Sequence, residues 1–344
     1  MPAPEELPGR LDGILAAVGN TPLVELKQLL PGFAARIFAK IEKFNPGGSI
    51  KDRPALYMLI SRIRDGRLSP GSSVVVESSS GNLGIGIAQV CRYFRLPFIC
   101  VVDAKTTEQN IAILRAYQAS VEVITEPDPR TGEFLPARLR RVRELVAELP
   151  SAYWPNQYAN PLNSAAHEQT MAEIVRDVPG AVDYLFCATS SCGTVRGCAD
   201  YARAHDLATM IVAVDAVGSV IFTDEEPAPR LIPGHGASVR PPLLRPGVAD
   251  EVVHVSDLDC VVGCRRLLNR ESILAGGSSG ATVAAVDAMR ARIRPGSNCV
   301  VVLPDGGDRY LDTIYSDRWV RSHFGEVTHL WKDTDGHRED FECA

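Results

Sequence analysis

The residues of this chain with the most chemical capacity sit in five short polar turns, each where an apolar run gives way to a helix-like one. The first is Asn45-Pro46-Gly47-Gly48-Ser49-Ile50-Lys51-Asp52-Arg53-Pro54. Proline fits the first turn of a helix, so the spacing predicts a helix that begins near Lys51 to Arg53. A lysine there meets the positive end of the helix dipole, which lowers its pKa and suits an amine that reacts in its neutral form, as in a Schiff base. A solvated lysine at a helix start is the plain alternative. The second turn, Ser78-Ser79-Ser80-Gly81-Asn82-Leu83-Gly84, places hydroxyls, an amide and free N–H groups at a helix start. That suits a carboxylate or a phosphate, or simply caps the turn.

The third turn, Ser190-Ser191-Cys192-Gly193-Thr194-Val195-Arg196-Gly197, offers the same donors to a phosphate without the spacing of a Walker loop. The fourth and fifth are Ala275-Gly276-Gly277-Ser278-Ser279-Gly280-Ala281 and Leu303-Pro304-Asp305-Gly306-Gly307-Asp308-Arg309-Tyr310-Leu311. Each alone is an ordinary turn. Together they mark the strand ends where α/β sheets place their ligands.

Short β-branched runs at residues 73–77, 98–103, 121–125, 184–189, 211–215 and 298–303 must position these turns. Amphipathic stretches at 82–94, 109–119, 137–149, 164–177, 195–205 and 281–292 alternate with them, with Thr106 and Gln109 spaced as a capping box. Continuous apolar strands separated by helices predict an α/β fold with parallel sheets flanked by helices. The Asn45-Pro46-Gly47-Gly48 and Tyr153-Trp154-Pro155-Asn156 stretches read as boundaries of a smaller inserted domain. That gives a large domain of 1–44 and 159–322, a small one of 45–158, and an irregular tail of 323–344. Residues 223–246, rich in Pro and Gly, read as a long ordered loop.

The chain has 344 residues, 45% hydrophobic and 23% charged, an ordinary globular composition that excludes global disorder and a disulfide-stapled miniature. With 36 Lys+Arg against 42 Asp+Glu it is mildly acidic, which argues against nucleic acid as a partner. No run has membrane-spanning length and the first residues do not resemble a signal peptide, so a cytoplasmic protein is expected. The nine cysteines form no CxxC pair and read as buried free thiols, Cys192 as a small filler. His167, His205, His235 and His254 lack metal-ligand spacing, so no metal is expected.

Taken in order from Gly19-Asn20-Thr21-Pro22-Leu23 to about Ile314, the five turns resemble those of the fold-type II pyridoxal-phosphate enzymes, the cysteine synthase and cystathionine β-synthase family. The resemblance implies a two-domain, tryptophan synthase β-like fold, a pyridoxal 5′-phosphate cofactor, a homodimer, and a small domain that closes on the substrate. By the same resemblance Lys51 is the lysine that forms the Schiff base. Asn82 matches the residue at the cofactor's 3′-oxygen, and Ser190, Ser191, Cys192, Gly193 and Thr194 match its phosphate loop. Ser278, with Ser279 adjacent, matches the hydroxyl beside the pyridine nitrogen. Ser79, Ser80, Asn82 and Gln157 match the grip on the substrate α-carboxylate. A serine at the ring nitrogen makes a weaker electron sink than an aspartate would, which favours β-elimination and replacement over transamination.

Departures from the sulfhydrylase pattern narrow the reaction. Leu83 follows Asn82 where those enzymes have threonine, side chains replace two glycines of the phosphate loop, and Arg240 follows Gly234-His235-Gly236-Ala237-Ser238-Val239. The pattern is similar to a subgroup that joins O-phospho-L-serine to L-glutamate, giving a precursor of L-2,3-diaminopropionate for siderophores. The implied cycle is ping-pong: O-phosphoserine displaces Lys51, the freed amine takes the Cα proton, phosphate leaves Cβ, and the amino group of glutamate adds there. The extra carboxylates and the phosphate need cations, for which Arg138, Arg196 and Arg240 are candidates, with Tyr158 and Ser190 as further contacts. The alternatives are an O-phosphoserine or O-acetylserine sulfhydrylase, a serine or threonine dehydratase, and a non-catalytic cofactor-binding relative.

Overall fold

The computed structural model describes residues 11–130 and 132–332. After a short hairpin strand β1 (Leu23–Glu25), strand β2 (Arg36–Ile41) leads into the Asn45–Lys51 turn and helix α1 (Asp52–Arg64). The middle of the chain then runs β3 (Val74–Ser78), α2 (Asn82–Phe94), β4 (Phe98–Asp103), α3 (Glu108–Ala116), β5 (Ser120–Ile124), α4 (Phe134–Glu148) and β6 (Ala152–Tyr153). The remainder is α5 (Pro161–Asp177), β7 (Tyr184–Ala188), α6 (Gly193–Ala204), β8 (Met210–Ala216), β9 (Glu251–Val255), α7 (Asp257–Glu271), α8 (Gly277–Ala288), β10 (Asn298–Leu303) and α9 (Asp317–Phe324).

The strands form two sheets, a six-stranded one ordered β1-β2-β10-β7-β8-β9 and a four-stranded one ordered β5-β4-β3-β6. Every pairing is parallel except β1 with β2. This is the α/β architecture expected from apolar strands buried on both faces: β10, Asn-Cys-Val-Val-Val-Leu, is buried along its whole length. All strands of the second sheet lie between residues 45 and 158, and all strands of the first lie outside that range.

The capping expectation shifts by one residue. Thr107, not Thr106, caps α3 by accepting from the Asn110 N–H, while Thr106 closes a turn back onto Asp103. Residues 217–250 form the long loop without helix or strand. Of the segment read as an irregular tail, Phe324, Val327, Leu330 and Trp331 pack on the core of the larger sheet, and residues 333–344 lie outside the described range. The eight cysteines among the described residues are buried and free, and Cys343 lies beyond them. No helix among the described residues is long and apolar enough to cross a membrane, and no group of three or more His, Cys, Asp or Glu there could hold a metal.

Candidate active site

Two isolated bridges, Ser49 to Asp305 and Ala275 to Gly306, draw the first, fourth and fifth turns together at the end of β10. Ile50 N–H donates to the Pro304 carbonyl at 2.8 Å, which fixes Lys51 against that strand end. Lys51 is the N-cap of α1, as its spacing predicts. Its pKa is lowered, and the chief cause is burial, opposed by the nearby Asp305 and Cys192. The direction is the one expected from the helix start, but its cause here is burial. The ammonium has no hydrogen-bond partner among the described residues, so the amine is free to bond covalently to a ligand.

Asn82 opens α2 at the end of β3. Its side-chain N–H donates to Asp305 Oδ2 at 2.8 Å, and its carbonyl accepts from Arg309. Asp305 also accepts from the Tyr310 hydroxyl at 2.8 Å, while its Oδ1 is buried without a partner. Burial raises the Asp305 pKa. The fifth turn was legible as a strand-end turn, but the sequence did not single out Asp305 or Arg309 as parts of the site. In the same loop Ser79 turns inward, its hydroxyl accepting from Gly84 N–H at 2.9 Å. Ser80 is half-buried, and its carbonyl holds Asn110. Gln157 comes in from the far side, donating from its side chain to the Ser78 carbonyl at 3.3 Å.

The third turn caps α6, with Cys192 in the left-handed region at φ +65°. The backbone N–H groups of residues 190–195 donate to nothing among the described residues, so the helix start presents an unsatisfied anion cradle. Asn163 from α5 bonds the Ser191 hydroxyl at 3.1 Å, and His167 meets the Thr194 hydroxyl at 3.4 Å, which pins the cradle to α5. A Cβ on Gly193 would collide with Asn163, so that glycine is required by close approach. Burial raises the Cys192 thiol to about 12, which leaves it a neutral filler. Ser278 is half-buried at the start of α8, and Ser279 beside it has a buried hydroxyl without a partner.

The cation candidates divide. Arg138 is buried, 3.2 Å from Asp103, and its guanidinium makes no hydrogen bond among the described residues. It lies close enough to Tyr158 to oppose the rise that burial imposes on that phenol. The Leu243 N–H donates to the Tyr158 carbonyl at 3.2 Å, and the Leu243 carbonyl accepts from Arg196 at 3.2 Å, so Tyr158 and Arg196 meet through one loop residue. Arg240 is turned to the surface instead, bonded to the Thr223 carbonyl and to exposed Asp224 at 2.8 Å. The structure does not gather it with the other two.

The set fits pyridoxal 5′-phosphate: an unpartnered lysine whose pKa is lowered, an open N–H cradle for the phosphate about a helix start, and a hydroxyl pair of half-buried Ser278 and buried Ser279. Asn82 and Asp305 close the space between the two sheets.

Comparison with known proteins agrees. Residues 14–305 match the family model described as pyridoxal-phosphate dependent enzyme. The chain is 47% identical to the N-(2-amino-2-carboxyethyl)-L-glutamate synthase of Ralstonia nicotianae over 308 residues, 89% of this chain and 90% of that one. Among solved structures, O-ureido-L-serine synthase superposes with a TM-score of 0.82 at 29% identity, covering 90% of this chain and 98% of that one. The O-acetylserine dependent cystathionine β-synthase of Helicobacter pylori does so with a TM-score of 0.82 at 30% identity, covering 89% and 99%.

Proposed function

The chain belongs to the pyridoxal-phosphate dependent enzymes, in the cysteine synthase family, and from that premise we propose that it joins O-phospho-L-serine to L-glutamate. The product is N-(2-amino-2-carboxyethyl)-L-glutamate, with release of phosphate, and it serves as a precursor of L-2,3-diaminopropionate. The observation that carries this reading is the 47% identity to a synthase of that name across nearly the whole of both chains. The buried Arg138 guanidinium beside Tyr158 supports it: Arg138 pairs with Asp103 at 3.2 Å but its Nε makes no hydrogen bond, and a second substrate with two carboxylates needs a cation there.

When bound, the cofactor supplies an electron sink that lets an amino acid lose its Cα proton and its Cβ substituent. The chain's residues do the rest. The N–H groups of Ser190 to Thr194 and the hydroxyls of Ser191 and Thr194 would hold the cofactor phosphate, Ser278 its ring nitrogen, Asn82 its 3′-oxygen, and Lys51 its carbonyl carbon. Ser79, Ser80, Asn82 and Gln157 orient the substrate α-carboxylate. Lys51, whose pKa burial lowers, takes the Cα proton and later returns it. Arg138 and Tyr158 position glutamate so that its amino group faces Cβ, with Arg196 as a further contact; Arg240, engaged at the surface with Asp224, takes no part. The same reading takes residues 45–158 as a smaller, mobile domain, and the protein as a cytoplasmic homodimer, which sedimentation of the purified enzyme tests.

The test of the reaction is competition. Purified holoenzyme is mixed with O-phosphoserine and equal glutamate and sulfide, and products are identified by mass. The expected result is the glutamate condensation product with stoichiometric phosphate. Cysteine as the sole product would overturn the reading and make the protein a sulfhydrylase.

A further inference from the structure

Glu77, at the end of β3, is a charged residue completely buried in the smaller sheet. Its carboxylate collects donors from both segments that grip the substrate. Ser78 N–H donates to Oε1 at 2.8 Å, at the root of the Ser78–Asn82 loop. From the other side, Trp154 Nε1 donates to Oε1 at 3.0 Å and Gln157 N–H to Oε2 at 3.3 Å. The intervening Asn156 adopts φ +52°, the left-handed conformation that aims successive N–H groups at one anion. Gln157 then reaches back to the Ser78 carbonyl at 3.3 Å, closing a ring of contacts.

We propose that Glu77 is a positioning residue, a buried latch that holds the Trp154–Gln157 turn against the root of the Ser78–Asn82 loop so that both face one substrate α-carboxylate. The inference rests on the assignment of those two segments to carboxylate binding. Among the described residues Glu77 makes no ion pair; its carboxylate is held by N–H donors, and burial lifts its pKa to about 7. The titratable groups that feel it are Cys100 on β4, Tyr153 on β6 and Tyr158, with Arg138 acting on Cys100 and Tyr158. An ionised Glu77 accepts every donor in the ring. A protonated one places its own O–H among them and must surrender at least one.

Glu77→Gln puts an NH2 group where N–H donors converge. In that variant KM for O-phosphoserine should rise 10-fold or more, with kcat within 3-fold, glutamate KM unchanged and the visible cofactor band retained. Glu77→Asp should give an intermediate KM. A second readout needs neither substrate nor turnover: Trp154 emission in the holoenzyme should titrate near pH 7, and the transition should vanish in both Glu77→Gln and Trp154→Phe. Because it is read without O-phosphoserine, the substrate phosphate, which itself titrates near 6, does not intrude. A phosphoserine KM within 2-fold of wild type in Glu77→Gln would overturn the latch, as would a fall in kcat at unchanged KM or a Trp154 transition that survives Glu77→Gln. If wild-type enzyme fails to turn over O-phosphoserine at all, the substrate reading falls while the Trp154 titration still decides the latch. If Glu77→Gln does not fold, a raised phosphoserine KM in Trp154→Phe with the visible cofactor band retained supports the latch, and an unchanged KM there refutes it.

Discussion

Arg53 stands two residues after Lys51, and replacing it should destabilise the protein by an amount the structure lets us work out. Its guanidinium forks both ways: Nε and Nη2 reach Glu42 at 2.7 and 2.8 Å, and Nη1 and Nη2 reach Glu173 at 2.8 and 2.7 Å. Lys40 adds a bond to Glu173 at 2.7 Å and one to the Thr21 carbonyl at 2.6 Å. Two cations and two carboxylates thus balance in a place with almost no solvent. Arg53→Met removes one cation and leaves a net negative charge buried, a change that costs about 3–5 kcal/mol. A second route gives the same size. Burial alone would raise Glu173, but Arg53 and Lys40 carry it down to about 2 from its ordinary 4.5. At 1.36 kcal/mol per unit that is worth about 3 kcal/mol for Arg53, Lys40 and the Asn20 N–H together, an upper bound on the share of Arg53.

Unfolding entropy near 2.1 cal/mol/K per residue gives about 0.7 kcal/mol/K for the whole chain, so a loss of about 4 kcal/mol lowers Tm by about 6 °C. Calorimetry at pH 7 is the assay, with Arg53→Met/Glu42→Gln as the companion that restores neutrality and should recover part of the loss. The pH dependence has a definite sign. Because the folded Glu173 pKa lies below the unfolded one, its stabilisation is present above pH 4.5 and is lost as pH falls toward 2. Wild type should lose stability over that window more steeply than Arg53→Met. A Tm change under 1 °C, or acid limbs of equal slope, would refute the reasoning.

Two further outcomes are expected. Arg138→Ala should raise glutamate KM 10-fold or more, whereas Arg240→Ala, whose guanidinium is already engaged at the surface, should leave it within 2-fold; steady-state kinetics at saturating O-phosphoserine separates the two, and the reverse order would exchange their roles. Gly197→Ala would drive a methyl group into the Ser164 carbonyl and the His167 side chain, where α6 crosses α5. Forcing those helices apart should cost about 1–3 kcal/mol and weaken cofactor retention, read by thermal melts and by dialysis followed in the visible band.

Which parts of this were legible in the sequence follows from how each residue is held. The six strands expected from continuous apolar runs are present; five are mostly buried, which writes itself as composition, while edge strand β5 is part-exposed and is marked by its β-branched residues. Strand β2 was missed for a physical reason: Arg36-Ile37-Phe38-Ala39-Lys40-Ile41 carries a lysine that is fully buried only because Glu173 lies 133 residues further on. Strands β1 and β6 are three and two residues long, too short to show a period. Helix α7 hides its apolar stripe among charges that pair elsewhere, such as Arg265 with Asp317 and Arg266 with Asp287. In the site, residues fixed by local turn chemistry, Lys51, Asn82 and Ser190 to Thr194, were readable from their neighbours. Glu77, Asp305 and Arg309 were not, because their roles come from partners in other segments. Arg240 shows the same limit from the other side, since a loop without periodicity gives no direction to its side chains.

That division has a structural logic. Lys51 lies on the segment that leaves the larger sheet for the smaller one, Asn82 at the end of β3, the phosphate cradle at the end of β7, and Asp305 at the end of β10. Parallel strands deliver their C-terminal turns to one side, so both sheets empty their polar turns into a common cleft. What remains is to hold two separately folded sheets in register across that cleft, and local sequence cannot do this. One direct side-chain tie is the Asn82 amide on Asp305, braced by Arg309, which also bonds the Gly47 carbonyl of the Lys51 turn at 3.1 Å. An asparagine amide has two hydrogens. With one committed to Asp305, the side chain is oriented before any ligand arrives and the second remains to donate. The residue matched to the cofactor's 3′-oxygen is therefore also a joint between the sheets.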